Sequence, residues 1–149
     1  MLSLCRELIF LKIIKSPHVI SLEEVIRTKN NYYSVLEYAN GGSLGDLLNK
    51  KKRFSEKFAR EAIQQIIKGC SALYRVGVMH RDLKLDNILV HFTAYEGQKA
   101  VNYNEIDIDN EEFVVKIADL GYAREFKKDG NNLQRAYSFK GSPLMMPAE

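Results

Sequence analysis

The strongest constraint on the fold is one long amphipathic run at the centre of the chain. Over residues 55–76, Phe58, Ala62, Ile63, Ile66, Ile67, Cys70, Leu73 and Tyr74 recur at helical spacing. Ser55 has the hydroxyl that satisfies free amides at a helix start, and Gly77 suits a helix end. The apolar stripe is wide, so a central helix is expected.

Shorter elements surround it. Residues 3–15 place Leu4, Leu8, Leu11 and Ile14 at helical spacing, with Ile9, Phe10 and Ile13 beside them. Pro17 ends that helix, because proline disfavours the helical conformation in the residue before it. Residues 19–25 and 32–38 are β-rich, and Arg27-Thr28-Lys29-Asn30-Asn31 between them is polar, which predicts a hairpin. Asn40-Gly41-Gly42 interrupts the pattern, and residues 43–50 are expected to form a short helix. Residues 88–90 and 114–118 read as short strands. Residues 91–113 between them are polar, and their second half carries Glu105, Asp107, Asp109, Glu111 and Glu112. We read this segment as an exposed insertion. Asp107-Ile108-Asp109-Asn110 invites a calcium-loop reading, but the central glycine, the terminal glutamate and the flanking helices of such a loop are missing. The mixture of helices and separated strands predicts an α+β fold.

The 149 residues suit one domain, and 46% of them are hydrophobic, enough for a core. The net charge is only +3. Its one tight basic run, Lys50-Lys51-Lys52-Arg53, has no interleaved aromatics for base stacking, so we read it as a solvated loop and expect no nucleic-acid partner. Cys5 and Cys70 lie far apart on apolar helical faces and are expected to be small, reduced core residues, which points to a cytoplasmic protein. No uncharged apolar stretch has transmembrane length, and no basic, apolar leader opens the chain.

The chemistry lies in three strings: His80-Arg81-Asp82-Leu83-Lys84-Leu85-Asp86-Asn87, then Asp119-Leu120-Gly121, then Gly141-Ser142-Pro143. The last two are weak alone. The first, placed between a long amphipathic helix and a strand and followed by a connection, a second strand and Asp-Leu-Gly, is a strong joint signal. In this order the chain resembles the eukaryotic protein kinase family, from the middle of the αC helix to the end of the activation segment.

That resemblance implies an ATP- and magnesium-dependent transfer of phosphate to serine or threonine hydroxyls of protein substrates. Asp82 would accept or orient the substrate proton, and Lys84 would offset charge near the transferring phosphate. Asn87 and Asp119, hard oxygen donors, would hold magnesium. Glu7 would pair with a lysine of the family's third strand. Glu37 and Ala39 would bond the adenine edge through their backbone, with Leu36 as gatekeeper, Ser43 near the ribose and Leu89 beneath the ring. Leu11, Leu22, His80 and Leu120 would stack as an apolar column. Lys84 goes with the serine/threonine class. Tyr137 and Ser138 are candidate phosphorylation sites, and Arg81 is a candidate partner for such a phosphate.

The implied division is a residual N-lobe at 1–36, carrying αC and the family's fourth and fifth strands. A hinge at 37–43, an upper C-lobe at 44–118 with the insertion 91–113, and an activation segment at 119–149 follow. The family's Gly-rich loop and its strand lysine have no counterpart, and Ala-Pro-Glu reads Pro147-Ala148-Glu149. The resemblance thus implies a kinase-like fragment truncated at both ends, with weak or no activity alone and an apolar face exposed on the helix at 55–76. Two functional readings stay open: a serine/threonine kinase domain, or a catalytically dead kinase remnant that acts as a binding or regulatory module. The strings Gly41-Gly42-Ser43-Leu44 and Gly141-Ser142-Pro143-Leu144 look most like the Unc-51-like branch.

Overall fold

A computed structural model describes residues 2–126, 128, 129, 132 and 133. Helix α1 spans Leu2–Ile13, and the hairpin β1 (Leu22–Arg27) and β2 (Tyr32–Leu36) follows it. Helices α2 (Leu44–Lys51) and α3 (Glu56–Arg75) come next, then the short strand β3 (Val78–Met79). A 3-10 turn at Leu85–Asn87 leads into β4 (Ile88–Phe92), and β5 (Phe113–Ile117) returns beside it. Strands β6 (Arg124–Glu125), β7 (Lys128–Asp129) and β8 (Asn132–Leu133) are two residues each. Among the described residues the strands form antiparallel pairs: β1 with β2, β3 with β6, β4 with β5, and β7 with β8. The α+β expectation holds. Tyr137, Ser138, Gly141, Pro147, Ala148, Glu149 and the Cys5 side chain lie outside what is described.

The long helix forms where its cap predicts. Ser55 Oγ accepts the Phe58 amide at 3.0 Å, satisfying one free amide of the first turn. Its buried face, with Phe58, Ala62, Gly69 and Leu73, packs on β5. Gly69 permits the approach: a Cβ there would sit 2.6 Å from the His18 carbonyl and 2.8 Å from Ile117. Gln65 seals the β5 edge, donating to the Phe113 carbonyl at 3.1 Å and accepting the Val115 amide at 2.7 Å. Phe54, Phe58, Phe113 and Phe92 follow one another ring to ring at 4.8, 4.6 and 6.2 Å. As expected, part of this helix is left open: Ile63, Ile67 and Tyr74 are exposed.

Helix α2 starts with a reciprocal cap. Ser43 Oγ accepts the Asp46 amide at 3.0 Å, and the Asp46 carboxylate accepts the Ser43 amide at 3.2 Å. In the first strand run, Val19 and Ile20 leave the hairpin and enter the core, where Ile20 donates its amide to Ile117 at 2.9 Å. The hairpin therefore begins only at Leu22.

Two expectations are corrected. The basic run is only half a loop: Lys50 and Lys51 end α2, Lys52 caps it with a left-handed backbone, and Lys51 Nζ donates to the Ile106 carbonyl at 2.7 Å, while Lys52 and Arg53 are exposed in the connection before α3. Nor is 91–113 a purely exposed insertion. His91, Phe92 and Phe113 belong to the paired strands, which leaves 93–112, and Val101, Ile106 and Ile108 within it are buried in the main core. Ile106 and Ile108 sit between carboxylates and Val101 between polar residues and an alanine, with no helical period to mark them, so only packing reveals them.

Candidate active site

The residues Asp82, Lys84 and Asn87 converge on one carboxylate. The Asp82 side chain is only 2% exposed. Its Oδ2 is met by Lys84 Nζ at 3.1 Å and by Asn87 Nδ2 at 3.1 Å, and Asn87 Nδ2 also donates to the Asp82 carbonyl at 2.9 Å. A buried carboxylate needs such partners, since isolating a charge from water is expensive. The bond to Asp82 in turn holds the Lys84 ammonium above its ordinary pKa.

Backbone bonding brings Asp119 to the same place. The Ala118 amide donates to the Asn87 carbonyl at 2.9 Å, at the point where β4 begins and β5 ends. His80 locks the two strings together: Nε2 donates to the Ala118 carbonyl at 2.9 Å, and Nδ1 accepts the Asp82 amide at 3.2 Å. The ring is thus the Nε2–H tautomer. Asp119 turns through a left-handed backbone, φ 59, and its Oδ1 accepts the Gly121 amide at 3.1 Å. Aspartate tolerates that conformation, whereas Arg81, at φ 69, is strained there. The Arg81 Nε donates to the Tyr122 carbonyl at 2.8 Å, fastening the segment after Asp119 to the loop before Asp82.

Glu7 of α1 reaches this corner. A Cβ on Gly121 would lie 3.0 Å from Asp119 Oδ1 and 3.9 Å from Glu7 Oε2. Burial, and secondly the nearby Asp119 charge, push the Glu7 carboxyl above its ordinary value. Leu11, His80 and Leu120 are buried, and Leu22 packs half-buried against the same core.

The connection 37–43 lies between β2 and α2. Glu37 donates its amide to the Ser21 carbonyl at 3.0 Å. Its side chain turns to the scaffold, where the nearly buried Lys116 Nζ meets Oε1 at 2.5 Å and also donates to the Pro17 carbonyl at 3.0 Å. Among the described residues no hydrogen bond is made by the Glu37 carbonyl or the Ala39 amide. Leu36 is exposed, Ala39 is buried, and Leu89 packs half-buried on the core. Ser43 Oγ is engaged with Asp46, donating at 2.7 Å.

Sequence reasoning passed over Lys116 and Tyr103, and it placed Asn40 near the ribose without its bridging role. The side chain of Asn40 bridges to Phe92 and Tyr95, and the Tyr103 hydroxyl donates to the Gly41 carbonyl at 3.0 Å. No local signal marks them, because each contact closes over more than fifty residues.

A family model described as protein kinase domain matches residues 2–149. Serine/threonine-protein kinase 33 of Bos taurus is 33% identical over 144 residues, 97% of this chain and 27% of that protein. NUAK family SNF1-like kinase 1 of Homo sapiens is 31% identical over 149 residues, 100% of this chain and 19% of that protein. Serine/threonine-protein kinase ULK1 of Homo sapiens is 36% identical over 144 residues, 97% of this chain and 12% of that protein. The chain therefore spans between about a tenth and about a quarter of the length of these curated relatives.

Proposed function

This chain belongs to the protein kinase family, and on that premise we propose that it supplies the phosphoryl-transfer centre of a serine/threonine protein kinase. The observation that carries the reading is the buried Asp82 carboxylate, with Lys84 and Asn87 both at 3.1 Å. Asp82 accepts or orients the proton of a substrate hydroxyl. Lys84 offsets charge on the phosphate being transferred, and its presence supports the serine/threonine class that the relatives' names state.

The donor set fits magnesium. Asn87 spends its Nδ2 on Asp82, which leaves its side-chain oxygen for a cation, and Asp119 adds a carboxylate. Magnesium commonly takes one or two protein oxygens and completes its shell with water and phosphate. When bound it would neutralise charge developing on the nucleotide phosphates.

Residues 37–43 act as the hinge between a partial N-lobe at 1–36 and an upper C-lobe at 44–118, and 119–149 as the activation segment. The Glu37 carbonyl and the Ala39 amide serve the adenine edge, with Leu36 as gatekeeper and Leu89 beneath the ring. Ser43 faces the ribose by releasing its hydroxyl from Asp46. Glu7 is the partner for a strand lysine.

A second reading is an inactive kinase-like binding module. One experiment separates the two. Transfer of labelled phosphate from ATP to a serine/threonine-containing protein is measured with the chain and with Asp82→Asn. Loss of a general base costs about 10²–10⁴-fold. Equal incorporation by both proteins sinks the catalytic reading. No transfer together with no tight, magnesium-dependent ATP binding favours the module, and tight magnesium-dependent binding argues against it.

A further inference from the structure

The insertion 93–112 is bonded to the connection 37–43 repeatedly. The Tyr38 hydroxyl donates to the Lys99 carbonyl. The Val101 amide donates to the Asn40 carbonyl at 3.0 Å, and the Tyr103 hydroxyl to the Gly41 carbonyl at 3.0 Å. The buried Asn40 side chain donates to the Phe92 and Tyr95 carbonyls at 3.0 and 2.9 Å and accepts the Phe92 amide at 2.8 Å. The strand β4 closes the other side: Gly41 donates to Val90 and Val90 to Gly42, both at 2.9 Å.

Space is as tight as bonding. A Cβ on Gly41 would lie 2.7 Å from both the Phe92 ring and the Val90 carbonyl. One on Gly42, at φ +62, would lie 2.5 Å from the Tyr103 hydroxyl. A Gly-Gly pair in a connecting segment suggests freedom. This pair is held.

We propose that Tyr103 is a positioning residue for nucleotide binding. With Val101 and Asn40 it clamps the backbone of residues 39–42, so that the main-chain groups meeting the adenine are set before the nucleotide arrives. The inference rests on the reading of 37–43 as the hinge. Its physical basis is preorganisation: apparent affinity falls with the fraction of molecules in the binding-competent arrangement. Tyr103 is the member of the clamp that can be tested cleanly, because phenylalanine keeps the ring and removes only the hydroxyl.

The test compares the chain with Tyr103→Phe and Tyr95→Phe. The second variant makes the same chemical change within the insertion, where the Tyr95 hydroxyl meets Glu111 at 3.3 Å and not the hinge. The readouts are affinity for a fluorescent ADP with magnesium, KM and kcat for ATP, melting temperature, and amide exchange at Gly41 and Gly42. Loss of one hydrogen bond raises the opening of the connection about fivefold, which predicts weaker binding by up to that factor and an equal rise in KM for Tyr103→Phe. Its kcat holds, its melting temperature falls by no more than a few degrees, exchange at both glycines quickens, and Tyr95→Phe keeps the parent's affinity and exchange. Unaltered exchange and affinity in Tyr103→Phe overturn the proposal, and so does an equal loss in Tyr95→Phe. Failure of the hinge reading looks different: the unmodified chain binds no nucleotide, which removes the nucleotide role, while exchange alone still decides the clamp.

Discussion

His80 joins two strings of residues that lie 38 positions apart. Its Nδ1 must stay unprotonated to accept the Asp82 amide, and burial already pushes the imidazole below its ordinary 6.5, against the pull of Asp119 and Asp82. The sign follows. Below that value the unfolded chain binds a proton that the folded chain refuses, so the His80 contribution to stability falls as pH drops through 6.5 toward the folded value. We expect the His80 ring resonance to titrate with a midpoint below 6.5 by NMR; a midpoint at or above it contradicts burial as the dominant influence on the ring. Asp82, Lys84 and Asn87 were legible in the sequence because they share one short local string. The Glu37–Lys116 pair was not. With 19 acidic and 22 basic side chains, nothing in the order of residues says which two will meet.

Elements show the same division between local and distant information. The start of α3 was readable from Ser55 and a helical apolar period, both local. The insertion was misread because Ile106 and Ile108 sit alone among carboxylates. Ile106 is 2% exposed, and the segment is fastened by Lys51 and by bonds from Ser55 and Lys57 to Asp109. Ile106→Ala should therefore destabilise the fold by about 3 kcal/mol, as core truncations do. Urea unfolding followed by circular dichroism checks it. A loss below about 0.5 kcal/mol would return the insertion to the surface role expected from its charge.

At the scale of the whole molecule, apolar surface is unevenly covered. Ile67 is 61% exposed on α3, and Val25, Tyr33 and Val35 are exposed on the hairpin. Contiguous apolar surface in water promotes association. Ile67→Lys should leave the unfolding midpoint within about 0.5 kcal/mol of the parent and lower self-association. Light scattering over a concentration series measures the second part, and undiminished scattering contradicts it. The Lys116–Glu37 pair also acts at this scale, tying the end of the hairpin to β5. Its consequence concerns ligand design. With the Glu37 carboxylate held by Lys116 and Ser21, a compound entering the proposed cleft meets a carboxylate already paired at position 37. The side chains open to such a compound there are the exposed ones on either side, Leu36 and Tyr38.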